Sequence, residues 1–151
     1  MAHTVITPAT IADIPQLVEL LNQLFSIEKD FQPDRERQVR GLHLLISEPE
    51  RGIIMVARNV EGKAVGMVSA QLVISTAQGA PSAWVEDMVI SPEYRGAGIG
   101  KALLQSALDW SREKDATRAQ LLVDTENDSA IGYYRHLGWE TTQLQARRIF
   151  L

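Results

Sequence analysis

Three glycines alternate in the run Arg95-Gly96-Ala97-Gly98-Ile99-Gly100-Lys101. Glycine lets the backbone turn tightly and approach another molecule with no Cβ in the way. The residues that follow, Lys101 to Trp110, have helical character. Backbone N–H groups at a helix start attract anions, phosphate above all. The spacing therefore predicts a site for a phosphate-bearing ligand. Immediately upstream, Val85, Met88, Val89 and Ile90 give strand character to Trp84–Ile90, which Ser91-Pro92 closes. That strand carries two adjacent carboxylates, Glu86 and Asp87. Successive strand residues point to opposite faces, so one of the two is expected to face a cleft and the other elsewhere.

Two familiar phosphate loops do not fit. A Walker-type loop needs glycine five residues before the Gly-Lys pair and Ser or Thr after it; Arg95 and Ala102 stand there, so the magnesium-binding hydroxyl is missing. A dinucleotide fingerprint started at Gly96 and Gly98 needs a third small residue where Lys101 stands.

Thr4 to Thr7 is short and β-branched and reads as a first strand. Ile11, Ile14, Leu17, Val18, Leu21, Leu24 and Phe25 recur at three- and four-residue spacing, the mark of one apolar helical face. Pro15 places the regular start of that helix near Asp13. A second helix is expected over Asp34–Ser47, with Val39, Leu42, Leu45 and Ile46 inward. Ile53–Arg58 and Ala64–Ile74 read as strands joined at Glu61-Gly62. After the glycine loop, Leu103, Leu104, Ala107, Leu108 and Trp110 make the apolar face of a helix ending near Lys114. Ala119–Val123 reads as a buried strand. Asp128 and Ser129 offer a cap for a helix through Leu137, stopped by Gly138. Thr141 to Phe150 alternates and predicts a last strand. The order is that of one α+β domain over residues 1–151 with a mixed sheet.

The 45% hydrophobic and 23% charged composition is that of an ordinary globular protein, and a net charge of −4 disfavours nucleic acid. There is no cysteine, which excludes disulfides, thiolate metal sites and cysteine nucleophiles and fits a cytoplasmic protein. Met1 to Pro8 lacks the basic and apolar regions of a signal peptide, and no apolar run is long enough to span a bilayer, so no membrane partner is expected. His3, His43 and His136 lack metal-ligand spacing, and no metal is expected.

Arg95-Gly96-Ala97-Gly98-Ile99-Gly100 resembles the pyrophosphate loop of the GCN5-related N-acetyltransferases, the GNAT superfamily, whose pattern is Gln/Arg-x-x-Gly-x-Gly/Ala. Asp87-Met88-Val89-Ile90-Ser91-Pro92-Glu93-Tyr94-Arg95-Gly96 is similar to that family's lead-in strand. A second resemblance lies in Asn127-Asp128-Ser129-Ala130-Ile131-Gly132-Tyr133-Tyr134-Arg135-His136-Leu137-Gly138-Trp139, where the family shows Asn-x-x-Ala, Tyr four residues on, then Gly-Phe. Trp139 departs from the usual Phe. The order of elements agrees along nearly the whole chain.

The resemblance implies a single GNAT-like domain with a mixed, mostly antiparallel central sheet, flanked by helices and splayed to form an acetyl-CoA cleft. Amides from Arg95 to Lys101 (Gly96, Ala97, Gly98, Ile99 and Gly100 between them) would hold the pyrophosphate, with Arg95 or Lys101 adding charge. Met88, Val89 and Ile90 would pair with the pantetheine arm, and the Val89 N–H would polarise the thioester carbonyl. Asn127 would bind the cofactor or serve as a turn residue. Tyr134 would give its proton to the leaving thiolate, the alternative being a packed ring; Tyr133 is expected in the core. Glu86 would accept the amine's proton, through water, or anchor the ammonium; a solvated or structurally paired carboxylate is the alternative. Glu86-Asp87 also resembles the Glu-Asp found at this place in amine-acetylating members of that family, diamine acetyltransferases among them.

Acceptor selection is expected from Glu28, Asp30 and Phe31 between the first two helices, an acidic-aromatic group suited to a cationic amine, together with Glu86 and Asp87. An ordinary solvated loop is the alternative there. The expected reaction is direct transfer from acetyl-CoA to a primary amine, a small cationic or polyamine-like compound. A protein or peptide amine, or a non-catalytic CoA-binding regulatory module, are the competing readings. Many family members are dimers, which extends to this chain the expectation of a homodimer, with Trp84 a candidate for the contact.

Overall fold

The computed structural model describes residues 3–27 and 32–151. Five strands form one sheet in the order β1-β2-β3-β4-β5: Val5–Pro8, Gly52–Arg58, Ala64–Ser75, Ala80–Ile90 and Arg118–Leu121. The first four are antiparallel neighbours, and β5 joins β4 in parallel. A parallel neighbour requires a crossover, and the helix α3 (Ile99–Glu113) supplies it.

Helices cover both faces. The helices α1 (Ile14–Ile27) and α2 (Arg35–Ser47) bury Leu17, Val18, Leu20, Leu21 and Leu42 against Ile54, Val56, Met67 and Val89. On the other face α3 buries Ile99, Leu103, Leu104, Ala107 and Trp110 against Val65, Val68, Ala70 and Val85. The helix α4 (Asp128–His136) adds Tyr134 to that side, with Leu137 and Trp139 just beyond it. The helical spacing read for α1 thus marks its buried face, except that Ile11 lies in a preceding 3-10 turn and is 48% exposed. Pro15 sits in the first turn of α1, where its missing N–H costs no helical bond. Asp34 caps α2 by accepting from the Arg37 amide at 3.2 Å.

One buried ion pair was not legible from the sequence. Asp13 and Arg58 meet through two bonds, Nη1 to Oδ1 at 2.6 Å and Nη2 to Oδ2 at 2.8 Å. The Thr10 amide donates to the same carboxylate at 2.7 Å, and Arg58 Nε donates to the Thr7 hydroxyl at 2.8 Å. The pair ties the entry to α1 to the end of β2.

Two expectations need correction. Residues 139–151 form no strand: Leu144, Ile149 and Phe150 are more than four-fifths exposed. Alternation selects a face but supplies no ladder; the sheet's described order ends at β5, which pairs only with β4. The cap of α4 is Asn127, whose side-chain oxygen accepts from the Ala130 amide at 3.0 Å, and not Asp128 or Ser129. Among the described residues no helix is long and apolar enough to cross a membrane, and no group of three or more His, Asp or Glu is placed to hold a metal.

Candidate active site

The strands β4 and β5 pair only from Ser82 to Val85 and from Arg118 to Leu121. Past that point they part, because β5 ends at Leu121 while β4 runs on to Ile90. The gap is a cleft of about 260 Å³. Met88, Val89 and Ile90 wall one side and Leu122, Val123 and Asp124 the other, while Asn127 and Tyr134 enter from α4. Arg95 also lines it, and its Nε donates to the Ile90 carbonyl at 3.0 Å, tying the loop to the strand end.

The glycine loop sits at the end of this strand. Gly96 and Gly98 both adopt positive φ, +81° and +79°, where a side chain is strained, and a Cβ on either would meet nothing within 4 Å. These two glycines therefore serve backbone shape. Gly98 is the N-cap of α3, so the helix opens at Ile99, two residues earlier than its sequence suggests, and its first-turn amides stand free of intrahelical partners. Gly100 differs: a Cβ there would come within 2.9 Å of the Met88 methyl and of the Tyr133 hydroxyl. Its smallness lets α4 and β4 close on the start of α3. Gly98→Ala is expected to cost about 1 kcal/mol of stability by forcing an L side chain into the left-handed region. Urea unfolding measures it; an unchanged midpoint would mean that the loop relaxes freely.

A β-bulge interrupts β4. Glu86 pairs with Ser69 and Val89 with Met67, so Asp87 and Met88 together oppose one residue of β3. Asp87 has φ +55°, unusual for a residue other than glycine. Regular alternation would put Val85 and Val89 on one face; instead Val85 packs beneath α3 and Val89 beneath α1 and α2. This corrects the expectation that Glu86 and Asp87 point apart. Both line a groove of about 890 Å³ on the α1/α2 side, with Phe25, Asp34, Arg37 and, from the C-terminal tail, Arg148 and Phe150. The Ser69 hydroxyl donates to the Glu86 carbonyl at 3.1 Å, and the Trp84 indole N–H donates to the Glu86 carboxylate at 2.7 Å.

Tyr134 stands edge-on to two rings, Tyr133 at 5.6 Å and Trp139 at 6.0 Å between centroids. Trp139 also donates its amide to the Tyr134 carbonyl at 3.0 Å. The expected core residue Tyr133 is 39% exposed, with its hydroxyl against Gly100; partial burial pushes its phenol pKa up. Lys101 lies exposed in the first turn of α3. Asn127 lines the cleft as well as capping α4. Glu28, Asp30 and Phe31 lie outside the described residues. The tail's Arg148 and Phe150, with the Arg148 guanidinium 5.0 Å from the Phe150 ring centre, are groove residues that sequence reasoning missed.

The model of the acetyltransferase (GNAT) family matches residues 14–139. An uncharacterized N-acetyltransferase of Methanocaldococcus jannaschii is 33% identical over 86 residues, 56% of this chain and 38% of that protein, so the match spans well under half of that relative. An aminoglycoside N(6')-acetyltransferase type 1 of Stenotrophomonas maltophilia is 27% identical over 116 residues, 74% of each chain. Among solved structures, an aminoglycoside N-acetyltransferase in complex with CoA superposes with a TM-score of 0.80 at 18% identity, over 100% of this chain and 95% of that one. That likeness concerns the fold.

Proposed function

Because the chain belongs to the GNAT family of acetyltransferases, we propose that it moves the acetyl group of acetyl-CoA onto a primary amine, a small cationic acceptor, in a ternary complex. The observation that carries this reading is the parting of β4 and β5, with a helix start that no side chain caps at one end and Tyr134 inside.

The residues fit such a ligand. The first-turn amides of α3 and the backbone of Gly96 to Gly98 offer N–H groups to a pyrophosphate, with Arg95 and Lys101 supplying charge. Unpaired by β5, Met88 to Ile90 present strand backbone to an extended amide-bearing arm. The register of β4 on β3 turns the Val89 N–H toward Met67, in step with the Ser91 N–H that donates to the Val65 carbonyl, so the open-edge amide left to polarise the reacting carbonyl is that of Met88 or Ile90 rather than the expected Val89. When bound, acetyl-CoA supplies an activated acyl group and a thiolate leaving group. Glu86 takes one proton of the incoming ammonium, through water; the N–C bond then forms as the C–S bond breaks, Tyr134 gives the departing sulfur its phenolic proton, and the second proton lost by the nitrogen restores the phenol. With no cysteine in the chain, transfer needs no thiol-linked acetyl-enzyme.

The choice of a small cationic acceptor rests on two carboxylates, Glu86 and Asp87, in one groove. A relative named for aminoglycoside acetylation, covering 74% of both chains, agrees with it. Acetyl-CoA at a hundredfold excess over its Kd is expected to stabilise the fold by about 2.7 kcal/mol, read as a raised melting temperature. NAD and ATP should leave it unmoved, and no shift with acetyl-CoA would overturn the cofactor assignment. Release of free thiol across a panel of polyamines, aminoglycosides and peptides then separates a small acceptor from a protein amine and from a module that binds without turnover.

A further inference from the structure

We propose that Trp84 is a positioning residue for the reaction: its indole N–H fixes the Glu86 carboxylate at the edge of the acceptor groove. The inference rests on the reading above in which Glu86 handles the amine.

Trp84 and Glu86 are two apart on β4 and share the strand face toward α1 and α2. The indole nitrogen lies 2.7 Å from Glu86 Oε1, the length of a charge-assisted hydrogen bond. The two residues also straddle the point where the sheet opens. Trp84 is paired on both sides, with Gln71 of β3 and Gln120 of β5. Glu86 pairs with Ser69 of β3, one position beyond the last residue that pairs with β5, and directly before the bulge at Asp87. An indole carried by the closed part of the sheet therefore steadies a carboxylate in the open part. Without that bond, an exposed glutamate beside a bulge would sample several rotamers.

Indole suits the task chemically. It donates and never accepts or titrates, so it orients the carboxylate without competing for its proton. It occupies one lone-pair site of Oε1, and the other carboxylate oxygen stays available to an ammonium or to a bridging water. The Ser69 hydroxyl fixes the backbone of the same residue from the buried side, so Glu86 is held at both its carbonyl and its carboxylate.

A double-mutant cycle with Glu86→Gln tests the inference. Trp84→Phe keeps a ring but removes the donor. It is expected to lower kcat/KM for the amine roughly tenfold, the scale of a lost hydrogen bond to a charged group, while acetyl-CoA affinity stays within about twofold. In the Glu86→Gln background the same substitution should cost less than about twofold, because the group it orients is already lost. Full activity of Trp84→Phe overturns the positioning role, as does an equal loss in both backgrounds, which would make Trp84 a packing residue. Glu86→Gln with wild-type activity would instead sink the reading of Glu86 on which this one rests. Should Trp84→Phe misfold, Trp84→Met provides the same cycle without an aromatic ring.

Discussion

Tyr134→Phe is expected to lower turnover by a hundredfold or more while leaving the affinity for acetyl-CoA nearly unchanged. The substitution removes one oxygen and keeps the ring, so the edge contacts to Tyr133 and Trp139 that hold Tyr134 in the cleft persist. What disappears is the phenolic proton. A thiolate leaving without that proton carries its full charge through the transition state, and a positioned acid is worth two to four orders of magnitude. Tyr133→Phe is the matched control. Its hydroxyl rests against Gly100 of the helix entry, and its raised pKa comes from burial alone, which makes it a poorer proton donor. Steady-state rates with saturating acetyl-CoA compare the two. Equal losses in both variants would point to packing of the aromatic cluster, and an unchanged Tyr134→Phe would remove the acid from the mechanism.

What could be read from the sequence is what local chemistry decides. The apolar spacing from Ile14 to Phe25 is a helix wherever it folds, and alternating glycines before Lys101 specify a loop whose backbone must turn left-handed at Gly96 and Gly98. The features that escaped are set by partners distant in the chain. The bulge at Asp87 arises from how β4 registers on Met67 and Ser69, and no property of Glu86-Asp87 alone reveals it. Alternation holds as far as Glu86 and fails at Asp87, where the bulge brings the second carboxylate to the same side as the first. The tail erred in the opposite sense. Its alternation is real, yet a strand exists only against a neighbouring edge, and Leu144 and Phe150 remain exposed. The Trp84–Glu86 bond is a middle case: the spacing of two places both on one face, but the side-chain rotamers that bring the indole to the carboxylate are set by the fold.

The largest stability effect is expected at the Asp13–Arg58 pair, far in sequence from the reaction. Arg58→Met should cost about 3 kcal/mol at neutral pH, since removing one partner strands a buried carboxylate. The pair has the geometry that makes such bonds matter: two parallel contacts, side chains 20% and 9% exposed, and further bonds from Arg58 to Thr7 and from Thr10 to Asp13. The pH dependence has a definite sign. Hydrogen bonding from Arg58, which outweighs the opposing effect of burial, holds the Asp13 carboxyl below its ordinary value of 3.8. On acidification the unfolded chain therefore takes up this proton first. The stabilisation is complete above 3.8 and fades as pH falls below it toward the folded value. The gap between wild type and Arg58→Met should thus be full at about pH 7 and narrower at about pH 3, as urea unfolding would show. A loss below about 1 kcal/mol at neutral pH would place the pair with ordinary surface contacts. Because Arg58 closes β2 while Asp13 opens α1, and α1 covers the Val89 end of β4, the same variant should also loosen the wall of the cleft. Acetyl-CoA would then stabilise Arg58→Met less than it stabilises the wild type.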